Sequence, residues 1–286
     1  MNRHKHIFSF IFTVVSVPLV LAVQELCSDI QYSLKNYLII LLIISIAGIS
    51  AWIEYGQYKS EKEIEEKEKV EKQNERAKMV LSQIVQLIDR KAGNIRDNTY
   101  ELVITTKEWP YFYGAHKYLH EVCENLKFTV AKIIKAENDY VDVSLIYKYY
   151  GEEEWKWLAG KSGVSGAVNL NEFINDSETL YNYILSHKDE SPIFCNDKSK
   201  SKIYKWGRRD NLFGGKGSFY VMPITFSNNQ EALVEAVLLI STYGVNFIAL
   251  NSTKEEENEF RRILAYEVVP YYVSIIQSEL GALYMR

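Results

Sequence analysis

The sequence is poor in the residues that cross-link a fold or hold a metal. Of 286 residues only three are cysteine, Cys27, Cys123 and Cys195. The number is odd, and neither CxxC nor a zinc-finger spacing occurs. That argues against a disulfide framework and fits a reducing compartment for most of the chain. An excess of positive charge is also missing. The net charge is −4, so nothing overall suggests nucleic acid as a partner. No Ser/His/Asp, Cys/His or paired-carboxylate spacing stands out, and no enzyme activity is expected. Gly160-Lys161-Ser162 invites a phosphate-loop reading, but that pattern needs a glycine where Trp155 stands, so a turn is the plainer reading. His116, His120 and Cys123 fall at i, i+4 and i+7, one face if helical. A fourth zinc ligand is missing, and a partly buried helix face competes with the metal reading.

What the chain does have is a junction of two opposite compositions. Leu38–Ile53 is uncharged and apolar, and it runs without a break into Lys59–Lys78, where seven basic and seven acidic residues crowd together. Upstream, Ile7–Val23 is a second uncharged run, about 25 Å long as a helix against a hydrocarbon core of ~30 Å. A secretory signal peptide is the competing reading of that first run; its length and the lack of a clear A-x-A site weigh against it. Tyr37 at one end of the second run, with Trp52 and Tyr55 at the other, suits interfacial aromatic belts. Arg3, Lys5, Lys59 and Lys62 flank the pair, whereas the connection 24–36 holds one lysine. The positive-inside rule then puts both termini of a multi-pass inner-membrane protein in the cytoplasm.

The charged stretch carries Glu63/Lys67, Glu65/Lys69 and Glu68/Lys72 at i,i+4, each worth a few tenths of a kcal/mol (~0.2–0.5). No Gly or Pro occurs from Gln57 to Ala92, so one long helix continuing the second run is expected. Val70, Ala77, Val80, Ile84 and Leu87 fit a and d positions. A solvated connecting helix and a parallel dimerising coiled coil both remain open. Gly93–Asn98 breaks the pattern. The region after Trp109-Pro110 reads as a helix, Lys127–Lys135 and Tyr140–Tyr149 as strands, and 151–173 as a glycine-punctuated loop. The second of those strands alternates clearly and reads as half-buried. A helix starts at Asp176 or Ser177, a short strand lies at Pro192–Asn196, and Ser218–Phe226 and Ala232–Thr242 form a strand pair. Ala232–Ile240 is apolar on both faces except Glu235, which makes it central. Lys254–Tyr284 closes the chain as a helix that Pro270 kinks.

Three pieces between about residue 80 and 284 resemble a GAF domain. They are Gly160–Gly166 followed by a helix and Ser191–Asp197; Gly217–Ile224, similar to the family's strand with a proline; and Val234–Thr242, followed by Phe247 and an acidic helix start. The resemblance implies an α+β fold, an antiparallel sheet with flanking helices and a ligand pocket on the other face. It also implies a small ligand, such as a cyclic nucleotide or tetrapyrrole, or none. The expected division is a two-helix transmembrane region (1–58), a charged connecting helix (59–92) and a GAF-like cytosolic sensor (93–286).

The candidate site is the Lys198–Lys216 segment, with seven basic residues and one acid, Asp210. Lys205, Arg208, Arg209 and Lys216 would bind a small anionic ligand through charge-assisted, bidentate contacts, and Tyr204 and Trp206 would stack on it. A solvated loop and a contact with anionic lipid headgroups compete with that reading. The expected function is a membrane-anchored ligand sensor. Its layout resembles the membrane-disrupting effectors of nucleotide-signalled antiphage defence, with the hairpin as output; the alternative is an anchored regulator of a separate protein. The implied partners are membrane lipid, a small-molecule ligand and further copies of the chain, with no cofactor beyond that nucleotide ligand. Ile46→Arg should impair insertion of the second run, because a charge at mid-bilayer costs about 2.5–3.5 kcal/mol on insertion scales. Membrane fractionation checks this, and unchanged fractionation would sink the anchor.

Overall fold

The computed structural model describes residues 21, 32–97, 114–159, 170–228 and 231–284. The chain divides into two compact units, Met1–Lys72 and Gln73–Arg286. The first apolar run, the Gly160–Gly166 piece and Trp109-Pro110 lie outside the described residues, Leu21 apart.

In the first unit the described chain is helical, as part of α1 (Tyr32–Asp97). Two of the three expected i,i+4 pairs form, Glu65–Lys69 at 3.1 Å and Glu68–Lys72 at 3.8 Å. Leu41, Ile44, Ile49, Trp52 and Tyr55 are exposed. Among the described residues no helix is long and apolar enough to cross a membrane.

The second unit is α+β, built on a five-stranded antiparallel sheet. Its strands are β1 (Val141–Tyr149), β2 (Lys156–Ala159), β3 (Ile193–Cys195), β4 (Phe219–Ser227) and β5 (Ala232–Thr242), in the order β2-β1-β5-β4-β3. β5 is central, as its two apolar faces require. It pairs with β1 from Val141↔Thr242 to Tyr149↔Val234, and with β4 from Phe219↔Ser241 onward. Strand β2, four residues long, falls inside the stretch that reads as loop.

One face of the sheet carries Val141, Val143, Leu145, Tyr147 and Tyr149 of β1, with Val234, Ala236, Leu238 and Ile240 of β5. Against it pack the C-terminal part of α1, α2 (Ala115–Ile133) and α7 (Val269–Tyr284). Each fully buried aliphatic side chain here contributes about 1.5–3 kcal/mol. The expected strand at Lys127–Lys135 is instead the last turns of α2. Leu119, Val122, Cys123, Leu126 and Val130 are buried at helical spacing, and that 3.6 period overrides the β-branched run Thr129, Val130, Ile133. The helix stops where Lys135 takes a left-handed φ of 56° and the Ala136 N–H donates to the Ala131 carbonyl at 2.9 Å. Helix α1, in turn, runs through Gly93 to Asp97 rather than breaking there.

The a/d stripe of α1 also has a different partner from the coiled coil. Val80 and Leu87 are fully buried in the unit's own core, with Ile84 packed beside them. A buried polar chain ties the same face down. Asn125 Nδ2 donates to Gln83 Oε1 at 2.9 Å, and Tyr272 Oη donates to Asn125 Oδ1 at 2.9 Å. Tyr272 Oη therefore accepts from Thr129 Oγ1 at 2.7 Å. Two ion pairs flank the chain, Lys91–Glu279 at 2.5 Å and Arg76–Glu267 at 3.0 Å.

The C-terminal helix is interrupted as Pro270 requires. α6 (Lys254–Arg262) starts on a Thr253/Glu256 capping box, a π-helical turn covers Ile263–Val268, and α7 follows. The opposite face of the sheet carries α3 (Leu170–Asn175) and α4 (Leu180–Ser186). The N-cap of α4 is Thr179, whose hydroxyl accepts from the Asn182 N–H; it is neither Asp176 nor Ser177. Because this face is covered, β1 is buried on both sides, including Asp142 and Ser144, and is not half-buried.

Tyr272→Phe removes the hydroxyl that joins Asn125 to Thr129 and leaves both short of a buried partner. The loss should be about 1–3 kcal/mol in urea denaturation. A variant as stable as the wild type would show that the polar chain does not hold α1.

Candidate functional site

The 198–216 segment is a folded cover rather than an open loop. It consists of a 3-10 turn at Lys198–Lys200, a connection, and the short helix α5 (Arg208–Leu212), and it lies over the second face of the sheet. Gly217 ends it in close contact with β5. At φ 156° its missing Cβ would stand 2.1 Å from the Thr242 carbonyl oxygen, so only glycine fits.

The anchor of the cover is a lysine. Lys198 is 0% exposed, and its Nζ donates to Asp210 Oδ1 at 2.9 Å. The ammonium also lies 3.9 Å from the Tyr243 ring centre and 4.6 Å from that of Tyr204, which adds cation–π attraction. Asp210 is satisfied on every side. Its Oδ2 accepts from Tyr204 Oη at 3.2 Å and from the Gly207 N–H at 2.9 Å, the latter as a helix cap. Burial pushes the Lys198 ammonium down to about 8, against the opposing pull of Asp210.

Beside this group lies a cavity of about 80 Å³. Its polar lining comes from Asp142 and Ser144 of β1, Ser241 of β5, and Tyr181, Tyr204, Asp210 and Tyr243; Trp157 and Phe173 add aromatic walls. The polar groups are cross-linked. Ser144 Oγ and Tyr181 Oη are 2.8 Å apart, and Tyr204 Oη is 3.3 Å from Ser241 Oγ. Tyr204 stacks on Phe219, with ring centres 5.2 Å apart. Asp142 accepts from its neighbour's N–H and lies 3.7 Å from Arg209. Burial raises its carboxyl above the ordinary range, and Arg209 opposes that shift.

The six residues expected to bind ligand are distributed unevenly. Tyr204 and Lys205 line the cavity. Lys205 is held by Asp176 at 2.5 Å, a contact that lowers the Asp176 carboxyl and raises the lysine. Arg209 stands next to the cavity, with its guanidinium 4.3 Å over the Tyr243 ring and bonded to Asp142 and to the Asp139 carbonyl. Trp206, Arg208 and Lys216 are exposed and do not line it. Of the segment's cations, Lys200, Lys205 and Arg209 are compensated by acids elsewhere in the chain and Lys198 by Asp210 within it. Sequence reasoning passed over Lys198, Asp142, Ser241 and Tyr243. The one available signal was Asp210 itself, a lone acid among seven cations.

The zinc reading does not hold. Cys123 is buried in the core while His116 and His120 are exposed, and burial pushes the thiol up. Among the described residues no group of three or more His, Cys, Asp or Glu is placed to hold a metal ion.

Lys198→Met strands Asp210 in the interior and should cost about 3–5 kcal/mol, whereas Lys198→Met with Asp210→Asn should recover part of it. The folded-state value of Lys198 lies below its ordinary 10.5. Its contribution to stability is therefore full above pH 10.5 and lost as pH falls through about 8. The advantage of the wild type over the double variant should then grow from pH 8 toward 10.5 in denaturation curves; a flat difference would refute the assignment.

No family model matches the chain, and no curated protein matches it. Among solved structures, a GAF domain of a Synechocystis protein in its photoproduct state is similar over 59% of this chain and 99% of that chain. The identity is 13% and the TM-score 0.30. A likeness of that extent carries no argument, and the sheet and cavity stand on their own geometry.

Proposed function

We propose that this chain is a membrane-anchored sensor of a small anionic ligand, such as a nucleotide. The observation that carries the reading is the cavity under the 198–216 cover, latched by exchangeable ion pairs. A ligand anion takes the place of Asp176 on Lys205 and of Asp142 on Arg209. The cavity, about 80 Å³, is smaller than the ~300 Å³ lower bound of ordinary ligand sites, so binding lifts the cover. The protein acts by binding rather than by catalysis.

The anchor is the apolar run Leu38–Ile53 together with Ile7–Val23, with both termini cytoplasmic. Support comes from Leu41, Ile44, Ile49 and Trp52, all exposed along this stretch of α1. In the first reading this hairpin is the output and perturbs the bilayer on ligand binding, as in antiphage effectors of that layout. A second reading, in which the output is a further protein or another copy, is favoured by Leu81, Val85 and Ile88. They are exposed on α1 beside its buried stripe, each one residue after Val80, Ile84 or Leu87, at 4,3 spacing.

Calorimetry on the full chain in nanodiscs, with a panel of cyclic and linear nucleotides, tests the ligand. One of them should bind, and Lys205→Ala should weaken it by about tenfold, the loss of one charge-assisted contact. The variant should remain folded, because Lys205 is half exposed. Absence of binding by every nucleotide to the wild type would overturn the reading.

A further inference from the structure

The outer side of the cover has a character of its own. Leu212 is 74% exposed, Trp206 43% and Phe213 37%, all within eight residues of one another. Exposed apolar side chains are common singly; three on one short tip are not. The tip is also rigidly held. Gly214 and Gly215 turn the chain with φ 61° and 72°, and the Trp206 indole lies against Gly215, where a Cβ would stand 2.1 Å from its ring. Phe213 packs edge-on against Tyr140, with ring centres 5.9 Å apart.

Around this tip the charge balance is uneven. Lys198, Lys200, Lys205 and Arg209 each have a carboxylate, from Asp210, Asp197, Asp176 and Asp142. Lys202, Arg208 and Lys216 are exposed and form no ion pair among the described residues. Arg208 and Leu212 lie one turn apart on α5, so they share a side. Asp210, between them, points inward to Lys198.

We propose that this tip seats on an anionic lipid surface. Trp206, Leu212 and Phe213 enter the headgroup region, and Lys202, Arg208 and Lys216 meet lipid phosphates. A bilayer with anionic headgroups supplies both things the tip lacks, an apolar depth and negative charge above it. A soluble anion would satisfy the cations and leave Leu212 in water. The inference is independent of the cavity ligand, because the three cations do not line the cavity.

The test uses the full chain reconstituted in vesicles of phosphatidylcholine alone or mixed with phosphatidylglycerol, each doped with bromine-labelled phosphatidylcholine to quench tryptophan. The contribution of Trp206 is the difference between wild type and Trp206→Phe, which removes the signal of the other four tryptophans, among them Trp52. Quenching of Trp206 should appear with anionic lipid. It should fall by at least about tenfold in apparent partition in Leu212→Asp and in Lys202→Glu with Lys216→Glu. Both variants change exposed positions and should keep the wild-type melting curve. Three outcomes overturn the proposal: no Trp206 quenching in anionic vesicles, equal quenching in neutral ones, or protection of Trp206 that tracks protein concentration rather than lipid, which marks a second copy as the occupant.

Discussion

Lys198 is fully enclosed by protein. A fully enclosed ammonium is tolerated only with a counter-charge and hydrogen-bonding surroundings, and Asp210, Tyr204 and Tyr243 supply them. The other features of this side of the sheet follow from that requirement. α5 must begin at Gly207 so that its cap and its counter-ion are the same carboxylate. Gly217 must be glycine so that the backbone can carry Lys198 down to the sheet, through the Lys198 N–H to Gly217 carbonyl bond of 2.9 Å.

The two faces of the sheet solve different problems. The face under α1, α2 and α7 is aliphatic and aromatic, crossed by a polar thread from Gln83 to Thr129 and flanked by the buried Glu279. Such a thread contributes little net energy but fixes the register of the helices, since every member loses a partner if one slides. The face under the cover joins a second apolar cluster, with Ile146, Ile184, Phe219 and Val237, to a layer of ion pairs and hydroxyls.

Local pattern was readable wherever the answer was local. The strand Val141–Tyr149, the doubly apolar Ala232–Ile240 and the uninterrupted helix through Lys59–Ala92 appear as the sequence suggests, although the first is buried on both faces rather than one. Failures began where two local patterns competed. Thr129, Val130 and Ile133 suit a strand, yet the buried positions of α2 continue through them because the sheet needs a helix there to cover Leu145 and Leu238. In α1 the apolar period was legible but its partner was not, and Val80 and Leu87 turn to the protein's own core.

The sequence by itself determined the periodicities, the strand pair at the centre of the sheet, the capping box at Thr253 and the concentration of cations at 198–216. These depend on residues a few positions apart, whose geometry the backbone fixes. Only the tertiary structure decided which cation is buried, which are neutralised and which remain free. Lys198 and Lys202 differ by four positions in one basic run, and nothing local separates them. What separates them is the position of Asp210, and of Tyr243 just past the end of β5, relative to each side chain. That is a distance through space between residues remote in the chain, and packing alone sets it.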